Sequence, residues 1–269
     1  MMRFVASLFF ALGSAASAFA QEVRVVDEFD PQFAAWGRVL ARVARPDGFD
    51  YAALRLDRTD FERAKLELAA VGAKEFETFS RPLQLAYLIN AHNVFAIDRV
   101  LRAYPVKSIN QTRRWLSPLE ARDIDLLERR WSLRDLRRAA MDETRHDARA
   151  IFALNWAMRG CAPLSPVAPT EDNLDALLDR LTREFLRDPA NVRHDRARRR
   201  IHVSRLLREE RRALERDFTS LWKLLERYSE PEAAARIAAE PPKLVFEEMD
   251  EGLNDAKEGG GSGSPRWTN

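Results

Sequence analysis

The sequence predicts a helix-dominated α+β fold built around one buried helix at about 81–103. Three observations predict it. Apolar residues recur at helical spacing in five separate segments, "RTDFERAKLELAA" (58–70) and those at 81–103, 132–141, 171–187 and 205–228. The stretch from Leu85 to Ile97 carries no charged residue, so the helix that contains it is apolar on nearly every side. Strand character is confined to two short runs, "RRIHVS" (199–204) and "KLVFEE" (243–248).

The elements are taken in chain order. The first twenty residues have one charge, Arg3, then an apolar run from Phe4 to Leu12, and end in Ala18-Phe19-Ala20. That is the pattern of a secretory signal peptide with cleavage before Gln21, and its apolar run is too short to span a bilayer. The chain is therefore expected to be exported, periplasmic or secreted, with no transmembrane anchor. Residues 21–48 read as a lead-in and 49–255 as a single globular domain. In the helix at 171–187, Thr170 is expected to cap, with Glu171 and Asp172 in the first turn. Pro231 opens a further helix that Pro241-Pro242 stops. The tail, 256–269, contains "GGGSGS" and is flexible by composition.

Composition narrows the function classes. The formal net charge is +2, and the leader contributes only Arg3, so no polyanionic partner is called for overall. The Arg-rich run at 193–212 mixes both signs and reads as a solvated face; nucleic acid is not an expected partner of an exported chain. The four histidines, His92, His146, His194 and His202, lack metal-ligand spacing, and there is no phosphate-cradling glycine loop. No metal or cofactor is expected. Cys161 is the single cysteine, so it forms no internal disulfide, and a free cysteine is most often a buried core residue.

Two stretches carry the chemistry. In "LAYLINAHNVFAID" (85–98), Asn90, His92 and Asn93 sit among apolar residues. At roughly 100° per residue, Asn90 and Asn93 share a face with Tyr87, Val94 and Ile97, and His92 points elsewhere. A buried amide without a partner costs about 1–3 kcal/mol, so these side chains require backbone partners in a packed loop. "AIFALNWAMRGCAPLSP" (150–166) supplies such a loop: Asn155, Gly160 and Cys161, followed by Pro163 and Pro166, cannot continue a regular element. Asn90 and Asn155 are expected to lie close together, each bonded to backbone of residues 155–164.

With "YPVKSI" (104–109), "WSLRDL" (131–136) and "LDRLTREFL" (178–186), these two stretches resemble the domain-of-unknown-function 547 family. "FDYAAL" (49–54), "IHVSRLL", "RDFTSL" (216–221) and "MDEGLND" (249–255) extend the likeness to residues 49–255. The family is defined without an activity. The resemblance implies a Tyr where this chain has His92, a Glu-His pair where it has Arg137-Arg138, a His at Ile151 and a Cys at Trp156. Most groups that titrate near neutral pH are thereby lost.

Two readings follow. In the leading one the chain is a noncatalytic or degenerate envelope domain that binds a small molecule, an envelope polymer or a protein. Asn90, Asn93, Asn155 and Gly160 then form a polar network, with Cys161 as core filler. In the alternative the chain is a cysteine-dependent hydrolase or transferase, with Cys161 as nucleophile, His92 as base and an Asn orienting. Arg137 and Arg138 cannot serve as bases; they are expected to face solvent or pair with acids such as Asp135 or Glu143, unless one lies beside Cys161 in a cleft.

Overall fold

A computed structural model describes residues 28–113, 115, 117–142 and 147–256; the segment read from the sequence as a signal peptide and residues 257–269 of the tail lie outside them, as do Glu143 and His146. Among the described residues the chain forms helices α1 (Ala34–Val43), α2 (Tyr51–Leu56), α3 (Thr59–Ala70), α4 (Ala73–Thr78), α5 (Arg81–Ala103) and α6 (Leu133–Ala140). After an irregular stretch follow α7 (Leu174–Arg187), α8 (Arg205–Glu209), α9 (Arg211–Phe218), α10 (Leu221–Tyr228) and α11 (Pro231–Ala239). Strands β1 (Ala44–Arg45) and β2 (Gly48–Phe49) form one small hairpin, and β3 (Ile124–Leu126) and β4 (Arg129–Trp131) a second. In the third sheet β6 (Arg200–Ser204) pairs antiparallel with β5 (Val192–Asp195) and parallel with β7 (Lys243–Glu247). This is the helix-dominated α+β architecture that the segment pattern predicts.

The central helix is α5. Ser80 caps it, its Oγ accepting from the Leu83 N–H at 3.2 Å, and Pro82 occupies the first turn. It ends before Tyr104-Pro105, because a residue that precedes proline is held out of the helical region. From Leu85 to Leu101 nearly every side chain is buried. Helix α3 packs on one side, where the Tyr87 hydroxyl donates to Leu68 O at 2.8 Å, and α6 packs on another. One contiguous core runs from Phe33 to Leu253, and the stretch expected as a lead-in contributes α1 to it through Trp36, Val39, Leu40 and Val43. No helix of the described residues is long and apolar enough to cross a membrane.

Two local readings change. Residues 171–173 form a turn, and α7 begins at Leu174. The reason is a reciprocal bracket: Thr170 N–H donates to Asn173 Oδ1 at 2.9 Å, and Asn173 N–H to Thr170 Oγ1 at 3.3 Å. The segment 205–228 is three helices rather than one. It breaks at Glu210 and again at Thr219, whose φ of 69° cannot continue a helix, after which Ser220 caps α10.

Residues 249–255 return across the molecule and bind the irregular stretch between α6 and α7. Asn254 N–H donates to Ala157 O, Arg159 N–H to Gly252 O and Gly160 N–H to Asp250 O at 2.8–3.2 Å, an antiparallel pairing. Phe49 N–H donates to Asn254 O and Ala256 N–H to Phe49 O, so the two ends of the 49–255 span meet.

Candidate functional site

The site is built where the irregular loop 153–162 and the C-terminal segment meet α5 and α2. Asn93 sits at its centre. Its Nδ2 donates to Ala153 O at 2.8 Å, and its Oδ1 accepts from the Asn155 N–H at 2.9 Å. Asn155 continues the network: its Nδ2 donates to Ala162 O at 2.6 Å, and its Oδ1 accepts from Asn254 Nδ2 at 3.3 Å. Asn254 Oδ1 in turn accepts from the Tyr51 hydroxyl at 2.7 Å. Four buried polar side chains thus tie α5, the 153–162 loop, the C-terminal segment and α2 together. Each pairing removes an orphaned group that would cost about 1–3 kcal/mol.

Asn90 does not join Asn155. Its Nδ2 donates to Pro169 O at 2.7 Å, beyond the 155–164 loop. The reason is helical rise: Asn90 lies about 4.5 Å nearer the start of α5 than Asn93, and the loop runs antiparallel to the helix, so Asn90 meets its later residues. Gly160 is needed for close approach. A Cβ there would lie 2.2 Å from Met249 Cγ and 2.8 Å from the Asp250 nitrogen.

His92 is fully enclosed. Its Nδ1 lies 3.3 Å from Asn93 Oδ1, which the Asn155 N–H fixes as an acceptor, so Nδ1 carries the proton and Nε2 does not. Among the described residues Nε2 has no hydrogen-bond partner. Burial, with the Arg137 charge second, pulls the imidazole pKa down to about 3. The ring meets Trp156 edge to face at 4.7 Å between centroids.

Cys161 is also buried. Burial pushes its pKa up; the backbone of Trp156 and Met158 and the Arg137 charge act in the opposite direction. No hydrogen bond joins Cys161 to His92 among the described residues.

Arg137 and Arg138 part company. Arg138 is exposed and pairs with Asp135 at 3.3 Å. Arg137 is buried, and both its Nε and its Nη2 donate to Glu210 Oε1, at 3.0 and 2.7 Å. Its guanidinium lies over the Trp156 ring at 5.1 Å. The signal was available in the sequence. Leu133, Leu136, Arg137 and Ala140 form the buried stripe of α6, and a Ser132–Asp135 capping box fixes where that helix begins. Arg137 therefore had to face inward and Arg138 outward.

Arg137 and Trp156 line a cleft of about 600 Å³ between α6, the loop, α8 and the C-terminal segment. Its lining includes Leu119 and three methionines, Met141, Met158 and Met249. Its carboxylates are engaged: Glu210 by Arg137, and Glu209 and Glu251 by Arg205, each at 2.9 Å. Cys161 and His92 do not line it. Among the described residues no group of three or more His, Cys, Asp or Glu could hold a metal ion. Sequence reasoning missed the methionines, Glu210, Asn254 and Tyr51, which come from distant parts of the chain.

Residues 76–186 match the model of a family described as a protein of unknown function, DUF547. The match covers α5, α6 and the loop that carries Asn155 and Cys161, and it supports the DUF547 family for this chain. No curated protein and no solved structure matches it.

Proposed function

We propose that this chain is an exported domain that binds a ligand in the cleft beside Arg137 and Trp156 without transforming it. The observation that carries the reading is the enclosure of both reactive side chains. Cys161 is buried with its pKa raised by that burial, which suppresses the thiolate needed for nucleophilic attack. His92 is buried with a pKa of about 3, far below the range in which an imidazole is an effective general base. Trp156 and Arg137 stand where a reactive group would meet the cleft. Three positions at which the chain departs from the resembled family, His92, Arg137 and Trp156, meet at the Trp156 ring through the edge-to-face contact and the guanidinium stacking. A degenerate site accounts for their clustering.

One observation favours the cysteine hydrolase or transferase as a second reading. The backbone of Trp156 and Met158 and the Arg137 charge pull the Cys161 pKa down, which favours a thiolate. Burial opposes them and is the larger effect.

Alkylation of the folded full chain by iodoacetamide, followed against pH, separates the two. The expected result is no reaction until the protein unfolds. Rapid alkylation with a midpoint below that of a free thiol, lost in His92→Ala, would establish the enzyme reading instead. Export is tested by the N-terminal sequence of the protein recovered outside the cytoplasm, expected to begin at Gln21.

A further inference from the structure

We infer that the cleft takes an aliphatic monocarboxylate, its chain lying on Met141, Met158, Met249 and Leu119 and its head on Arg137. The inference rests on the ligand-binding reading and names the ligand class. The chain has five methionines; Met1 and Met2 precede the described residues, and all three others line this one cleft although they come from the end of α6, the loop and the C-terminal segment. Methionine is unbranched and polarizable, and it shapes itself to flexible apolar ligands. A volume of about 600 Å³ lies in the range of roughly 300–1,000 Å³ typical of small-molecule pockets.

The head group follows from hydrogen-bond accounting. Arg137 is about nine-tenths buried, and among the described residues its Nη1 has no partner. Glu210 satisfies Nε and Nη2 alone. Arg137 lines the cleft, and its guanidinium keeps donor capacity beyond the bonds to Glu210, which a carboxylate at the cleft wall can use through a charge-assisted bond. Four arginines line the cleft against three glutamates, so an added negative charge is favoured there.

The methionines also provide the test. The full chain is labelled with carbon-13 on the methionine methyl groups, and the cleft signals are assigned with single Met→Leu variants. Decanoate, decanamide and a short leucine-terminated peptide acid are then titrated separately. Decanoate is expected to shift the Met141, Met158 and Met249 signals together and saturably, and to bind about tenfold or more tighter than decanamide. Arg137→Lys, which keeps the charge and can still meet Glu210, is expected to weaken decanoate and leave decanamide unchanged. Equal binding of decanoate and decanamide, or tighter binding of the peptide acid, would overturn the ligand class and leave the cleft a binding site. No methyl shift with any of the three would overturn the inference outright. Neither result bears on Cys161 labelling, so failure here is distinguishable from failure of the noncatalytic reading.

Discussion

Single side chains decide how the centre of this protein is held and how it responds to acid. Among the described residues Asn93 satisfies two backbone groups, Ala153 O and Asn155 N, whereas Asn90 satisfies only Pro169 O and leaves its own Oδ1 without a partner. Asn93→Leu is therefore expected to cost more than Asn90→Leu in urea denaturation. Replacing Asn90 creates one orphan and removes another, which places it at the low end of about 1–3 kcal/mol. The reverse ordering would show that the loop does not depend on Asn93. His92 supplies a pH signature. Its folded pKa of about 3 lies below the ordinary 6.5, so the unfolded chain binds the extra proton first. Stability then rises with pH across that window, and it is lost as pH falls from about 6.5 towards 3. His92→Tyr, the residue the resembled family carries there, should flatten the dependence of the melting temperature on pH between these limits. An unchanged slope in the variant would assign the acid sensitivity to other groups.

At the scale of elements, regular periodicity was legible and reciprocal packing was not. The uncharged run in 85–97 and the start and stop signals at Ser80 and Pro105 suffice to place α5. The two strands read from branched apolar residues are β6 and β7. Their partner β5, "VRHD", has no strand composition and exists because β6 offers it a free edge. The division of 205–228 into three helices turns on the breaks at Glu210 and at Thr219, whose positive φ is a tertiary demand that overrides an apolar pattern compatible with one helix. In the site, Asn93, Asn155 and Cys161 could be singled out because they are polar or unique in apolar surroundings. Glu210 and the methionines could not, since nothing in their own neighbourhoods marks them. Gly160 shows how tightly the elements meet. Gly160→Ala would drive a Cβ into Met249 and the Asp250 backbone, so the C-terminal segment must shift. Destabilisation of about 1–3 kcal/mol is expected. Hydrogen exchange should show loss of protection at Asn254 N–H and at the Gly160 amide bonded to Asp250; retained protection at both would mean the segment yields without detaching.

For the whole molecule, the question is which part of the chain folds. The family model covers residues 76–186, and this span holds α5, α6 and the loop with Asn155 and Cys161. It is not closed on itself. Phe61 and Leu68 of α3 belong to the same core as α5, and Tyr87 donates to Leu68 O. On another side Asn155 Oδ1, Ala157 O and the Gly160 N–H are bonded to residues 250–254, and Tyr104 donates to Asp255 at 2.8 Å. Excising 76–186 would expose the apolar flank of α5 and leave those buried groups unpaired. Each such loss is a sizeable fraction of the net stability of about 5–15 kcal/mol that a domain typically has. The excised segment is expected to give no cooperative thermal transition and to bind a hydrophobic dye. A chain of residues 28–256 should melt cooperatively, at a temperature close to that of the full chain. Cooperative unfolding of 76–186 alone would make α3 and the C-terminal segment accessories to the fold. Failure of both pieces would instead assign a share of the stability to residues outside 28–256.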